Sequence, residues 1–248
     1  MAGSGLSPSL RYFLVLPAAG SGRRMQAEIP KQYLEIEGKT LLQHSLERLG
    51  ALPEISRIAV ALASNDAAWT NVAKRLTPEL AAKVLTTLGG AERMQSVNNA
   101  LAALRPFAAD DDWVLVHDAV RPCAHPDDVR KLIAELQHEE AGGLLAVAVR
   151  ETLKESGDGQ RVLRTIDRTH LWQAATPQMF RFAVLQRALQ HAIDTQKSAT
   201  DEAAAVEALG LPVRLVAGRA DNLKVTYPGD LLLASAVLAA QAREAQHK

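Results

Sequence analysis

Short, wholly apolar runs recur along the chain, separated by stretches in which apolar positions return at helical spacing. That alternation is the mark of βαβ units and a mainly parallel sheet. Residues 12–16 read as a buried first strand, 57–62 as a second and 84–88 as a third. In residues 40–49, TLLQHSLERL, leucines 41, 42, 46 and 49 share one side, which predicts a helix. A further helix spans 96–104 and stops ahead of Pro106. Residues 113–117 form a strand opening onto Asp118, followed by a helix over 126–136 and an apolar strand over 144–149.

The parallel pattern then breaks. Residues 151–155 and 162–167 flank the turn-rich SGDGQR, which predicts a protruding hairpin. A helical section over 200–209, a strand over 213–216 and a terminal helix from Pro228 complete the chain. The expectation is one α/β domain over residues 1–248, with a β-arm excursion at about 151–167.

Composition narrows the function classes. The 28 basic and 28 acidic side chains cancel, and only 4% of residues are aromatic. A nucleic-acid module, with its basic face and stacking platform, is disfavoured. The single Cys123 allows no intrachain disulfide, and the seven histidines show no metal-ligand spacing. No run is long and apolar enough for a membrane helix, and the N-terminus lacks a signal-peptide pattern, so no membrane and a cytoplasmic location are expected.

Three segments carry candidate chemistry. The first, LPAAGSGRRMQAEIPKQYL at 16–34, follows the first strand, where an open α/β sheet presents its ligand crevice. Ala18, Ala19, Gly20, Ser21 and Gly22 let the backbone approach a triphosphate and aim N–H groups at it. Arg23, Arg24 and Lys31 add positive charge suited to phosphate. The spacing is neither Walker A nor GxGxxG. The same residues would also serve as a solvated surface loop.

The second, VLVHDAVRP at 114–122, sets Asp118 at the carboxyl edge of the sheet, with Arg121 three residues on. A carboxylate there suits Mg²⁺, which takes one or two carboxylates plus substrate phosphates. It would equally well cap the turn and pair with Arg121. The third, GGAERMQSVNNAL at 89–101, offers Gly90 for close approach to a flat base and Ser96 near a helix start. An ordinary turn and cap is the plainer reading. His117, beside Asp118, reads as a packed or hydrogen-bonded strand end rather than a base.

These segments, with ATPQMF, TDEA and DNLKVTYPGD further on, closely resemble the 2-C-methyl-D-erythritol 4-phosphate cytidylyltransferase family of the non-mevalonate isoprenoid pathway. The resemblance runs from Val15 to about Leu233. It implies a glycosyltransferase-A-like nucleotidyltransferase with a Rossmann-like sheet, and a homodimer in which each β-arm embraces the other subunit. It implies that Ala18, Ala19, Gly20, Gly22 and Arg23 lie at the CTP triphosphate, with Arg24 and Lys31 stabilising the transition state. Gly90, Ser96 and Lys224 are implied at the nucleotide, and Asp118 at Mg²⁺. Arg121, Thr152, Arg168, Thr176 and Thr200 are implied at the methylerythritol phosphate. The family often has Asp after the glycine pair, GGDER, where this chain has Ala91.

Two rivals share the fold: a cytidylyltransferase acting on ribitol 5-phosphate, and a non-catalytic nucleotide-binding regulator. The presence of Arg24, Lys31 and Asp118 argues against the regulator. At 248 residues there is no room for the cyclase domain that some relatives carry fused, so a monofunctional chain is expected.

Overall fold

The computed structural model describes residues 10–20, 29–197 and 199–246. Its centre is a sheet of seven strands whose order inverts once, at the place where the candidate residues gather. The strands are β1 (Tyr12–Pro17), β4 (Ile55–Leu62), β5 (Val84–Leu88), β6 (Trp113–Val116), β7 (Gly142–Ala148), β10 (Trp172–Arg181) and β11 (Arg214–Ala217). Their order is β11-β7-β10-β6-β1-β4-β5. All neighbours run parallel except β10, which lies antiparallel to both β6 and β7. The expected mixed, mainly parallel sheet is therefore present.

Alternation within the strands sorts side chains to the two faces. Leu14, Leu16, Ile58, Val60, Trp113 and Leu115 join one core layer. Phe13, Val15, Ala59, Val114, Val116 and Phe180 join the other. Each fully buried Leu or Phe contributes about 1.5–3 kcal/mol. Helices α1 (Leu41–Ser45), α2 (Ala67–Arg75), α3 (Pro78–Lys83) and α5 (Pro126–Leu136) supply buried residues to the first layer or pack against it. Helices α4 (Arg93–Leu104), α6 (Phe182–Asp194) and α7 (Glu202–Glu207) cover the second. Helix α8 (Pro228–Gln246) packs Ala234 and Leu238 on Leu41, Val120, Cys123 and Val225. No helix among the described residues is long and apolar enough to cross a membrane.

Several elements differ from the sequence pattern. The helix read over 40–49 is α1 continued by a wider, π-type turn over Leu46–Gly50. Strand β10 and helix α6 stand where no element was expected, as do α2 and α3. A short hairpin pairs β2 (Glu35–Ile36) with β3 (Lys39–Thr40). The arm is present: β8 (Leu153–Ser156) pairs antiparallel with β9 (Val162–Ile166), and neither strand has a buried residue.

Candidate active site

The carboxyl ends of β1 and β6 open onto a cavity of about 450 Å³ lined by Ala18, Ala19, Gly20, Lys31, Gly90, Ser96, Asp118 and Lys224 among others. This is the crevice that an open α/β sheet reserves for ligands. Eight of the residues proposed from sequence thus share one wall system. Gly22, Arg23 and Arg24 lie outside the described residues.

The described residues on either side of 21–28 are tied to the sheet end. Ala18 donates its N–H to the Ala61 carbonyl at 2.8 Å. The buried Gln32 amide donates to the Ala18 carbonyl at 2.6 Å, tying the residue after Lys31 back to the strand end. Tyr33 donates to Asp66 Oδ2 at 2.8 Å and anchors the next residue. The glycine pair lets the β5 loop press against this base. A Cβ on Gly89 would stand 2.2 Å from Ala19 Cβ, and one on Gly90 would stand 2.3 Å from Gln95 Cβ. Ser96 Oγ accepts from the Gly90 N–H at 3.0 Å and donates to the Glu92 carbonyl at 3.1 Å, so its hydroxyl shapes that loop.

Asp118 is the electrostatic centre. Its Oδ1 accepts from Arg93 Nε at 3.1 Å, and its Oδ2 pairs with Lys224 Nζ at 2.8 Å and Arg121 Nε at 3.6 Å. Burial alone would raise its pKa, but the charges of Arg93 and Lys224 win and hold it well below the usual carboxylate range. The group is therefore anionic at neutral pH. Among the described residues no cluster of three or more His, Cys, Asp or Glu forms a metal cage. One ionised oxygen donor fits a hard cation that arrives with phosphates, rather than one held by the protein alone.

Behind Asp118, His117 is wholly buried, and burial pushes its pKa down to about 4. Its Nε2 faces the Arg121 carbonyl at 3.1 Å and must carry the proton, because a carbonyl only accepts. Nδ1 then accepts from the Thr176 hydroxyl at 2.9 Å, and Thr176 Oγ1 in turn accepts the Asp118 N–H at 3.1 Å. His117 is thus a neutral strut, as its packed position suggested, and Thr176 sits behind the carboxylate. Arg121 donates to the Asn222 carbonyl at 2.7 Å, and Asn222 Nδ2 donates to the Thr176 carbonyl at 2.7 Å. That places DNLK beside VHDAVRP, although the two are far apart in sequence.

Two residues of this wall were not singled out from sequence. Arg93, from the GGAERM segment, directs Nη1 and Nη2 at the two oxygens of Glu202, at 2.5 and 3.0 Å. Glu202, from TDEA, is 1% exposed. The sequence marks them only by their place inside GGAERM and TDEA, beside Gly90 and Asp201.

A model of the 2-C-methyl-D-erythritol 4-phosphate cytidylyltransferase family matches residues 12–240. The chain belongs to this family. The cytidylyltransferase of Azoarcus sp. (strain BH72) is 51% identical over 92% of this chain and 94% of its own. That of Dechloromonas aromatica (strain RCB) is 49% identical over 93% and 99%. Among solved structures, the Francisella tularensis cytidylyltransferase has a TM-score of 0.78 at 32% identity, covering 92% of this chain and 99% of its own. A crystal structure of 4-diphosphocytidyl-2C-methyl-D-erythritol synthase has the same TM-score of 0.78 at 35% identity, with 92% and 99% coverage.

The remaining residues that the cytidylyltransferase resemblance singled out lie apart from the cavity. Thr152 and Arg168 are exposed at the base of the arm, where Arg168 Nη1 donates to the Arg150 carbonyl. Thr200 is exposed just ahead of the α7 N-cap, where the Asp201 side chain accepts the Ala204 N–H. Ala91, where the cytidylyltransferases often carry Asp, lines the cavity with a methyl group.

Proposed function

We propose that this chain transfers CMP from CTP to 2-C-methyl-D-erythritol 4-phosphate, releasing pyrophosphate, as a transferase of the non-mevalonate isoprenoid pathway. The observation that carries the reading is the cavity that joins the small-residue loop, Lys31, Lys224 and the ionised Asp118 in a chain of this family. A substrate phosphate oxygen attacks the α-phosphorus of CTP; the new O–P bond forms as the bond to the β-phosphate oxygen breaks. A phosphate monoester, with a second pKa of about 6, is a competent nucleophile near neutral pH, so no strong protein base is required. This suits a site whose one buried histidine is held neutral and hydrogen-bonded at both nitrogens.

The protein's work is positioning and charge stabilisation. The backbone of Ala18, Ala19 and Gly20 lies against the triphosphate, Lys31 faces the α-phosphate, and Lys224 leaves Asp118 for a phosphate oxygen. Arg24, outside the described residues, takes its role of stabilising the transition state from the family resemblance alone. Gly90 and Ser96 form the base-binding end. Asp118 would hold Mg²⁺, which when bound neutralises charge on the phosphates and the departing pyrophosphate.

A homodimer in the cytoplasm belongs to the same proposal. Val162 and Leu163 on the arm are 61% and 66% exposed, an apolar surface suited to a second copy. Thr152, Arg168 and Thr200, together with Arg121 and Thr176, would complete the alcohol-phosphate pocket with the partner's arm. Pyrophosphate release from CTP and Mg²⁺, with methylerythritol phosphate and ribitol 5-phosphate offered separately, tests the reading. Turnover with methylerythritol phosphate supports it. Turnover with ribitol 5-phosphate alone changes the substrate, and CTP binding without any release leaves a regulator.

A further inference from the structure

The two oxygens of Asp118 are held in unequal ways. Oδ1 faces the Nε edge of Arg93, whose other edge is clamped by both oxygens of a nearly inaccessible Glu202. A planar guanidinium with both edges engaged acts as a rigid plate, and here it joins the first residue of α4, the first residue of α7 and the end of β6. Oδ2 faces Lys224, an ammonium on a flexible stem that is 37% exposed to solvent, and the more distant Arg121. One oxygen is fastened from within the protein. The other is held by a group that can move.

Resting on the reading of this cavity as a metal–triphosphate site, we propose that Arg93, held by Glu202, is a positioning residue for Asp118. It pins Oδ1, so that Oδ2 alone exchanges Lys224 for the incoming Mg²⁺-bound triphosphate. A lysine in place of Arg93 keeps the charge but cannot bridge two carboxylates in a fixed plane. Because Arg93 also lines the cavity, the competing role is direct contact with phosphate.

A double-mutant cycle separates the two roles. Arg93→Lys and Asp118→Ala are made singly and together, and CTP dissociation constants are read by calorimetry without the second substrate, in Mg²⁺ and in EDTA. Turnover is measured in parallel. The expected result is a loss of roughly 10–100-fold in Mg²⁺–CTP affinity and in kcat/KM for Arg93→Lys, the usual scale for a group that orients a metal ligand. In EDTA, and in the Asp118→Ala background, the same change should alter affinity less than about threefold. Equal losses in every arm would overturn the proposal and assign Arg93 to phosphate itself.

Glu202→Gln gives a second, independent arm: it should reproduce the Arg93→Lys defect and add nothing to it. If that variant does not fold, the Arg93–Asp118 cycle still decides. Wild-type protein that binds Mg²⁺–CTP but releases no pyrophosphate overturns the assigned reaction, and the cycle is then read on dissociation constants alone. Wild-type protein that fails to bind it overturns both.

Discussion

Thr176 Oγ1 lies 2.9 Å from His117 Nδ1 and 3.1 Å from the Asp118 backbone nitrogen, so one hydroxyl satisfies two buried groups on adjacent residues. Strand β10 thereby sets the backbone from which the site's central carboxylate projects.

Thr176→Val keeps the shape and removes both hydrogen bonds, leaving a buried acceptor and a buried donor unpaired. A loss of about 1–3 kcal/mol in unfolding free energy is expected, with Thr176→Ser within about 1 kcal/mol of wild type. Urea unfolding measures both. A valine variant as stable as the serine variant would mean that the hydroxyl is not holding this wall.

Acid should weaken the fold through His117. The imidazole titrates near 4 in the folded protein against an ordinary 6.5, because burial disfavours its charged form. The unfolded chain therefore takes up this proton first. Stability is full above about pH 6.5 and declines by about 3 kcal/mol as pH falls toward 4. His117→Gln, which carries no titratable ring, should show a shallower decline over that interval. Parallel curves for the two proteins would remove His117 as the cause.

Lys31 faces the same cavity as Asp118 from a short 3₁₀ turn, Lys31–Tyr33. Lys31→Ala is expected to lower kcat roughly 10²–10³-fold, the scale for one fixed donor at a developing charge. Its melting temperature should stay close to wild type. Near-normal turnover in the purified variant would take Lys31 out of the reaction.

Gly89→Ala places a methyl group 2.2 Å from Ala19 Cβ, and neither backbone has a flexible side chain to yield. A loss of about 1–3 kcal/mol is expected, together with a raised KM for CTP as the Ala18–Gly20 backbone is displaced. Among the described residues, Gly20→Ala meets nothing within 4 Å, and it serves as the stability control. Equal melting temperatures for the two variants would contradict the close packing.

Much of this architecture is written locally in the chain. Strands β1, β4, β6 and β7 announce themselves because parallel strands covered on both faces are apolar throughout. Strand β10 does not, because its middle carries Thr176, Pro177 and Gln178, polar or helix-breaking residues that are nonetheless buried. Among the described residues, Gln178 is satisfied by Asp201 and the Ala203 N–H, partners visible once the chain has folded. Helix α6 begins on the residue after β10 ends, and its N-cap, Arg181, makes no side-chain capping bond. No turn signal marks the change of period there.

The site divides in the same way. Residues that act through a local motif, such as the small-residue loop and Asp118 after its strand, can be read in order along the sequence. The Arg93–Glu202 pair spans 109 positions, and no spacing rule connects them. Thr176 could be assigned to the site from its motif, but its place behind the carboxylate depends on an antiparallel register with β6.

The sheet order has a consequence for a chain still leaving the ribosome. Strands β1, β4 and β5 all lie within the first 88 residues and can pair as they emerge. Asp118 follows, yet Thr176, Glu202 and Lys224 come from the last third of the chain. A translation product cut short before β10 would keep a parallel half-sheet with β6 as an unpaired edge, open to non-native association. Its carboxylate would stand without the Thr176 hydroxyl behind it, without the Glu202 that clamps Arg93, and without Lys224. Stalled chains of this protein should therefore be inert as catalysts however much of their sheet has formed.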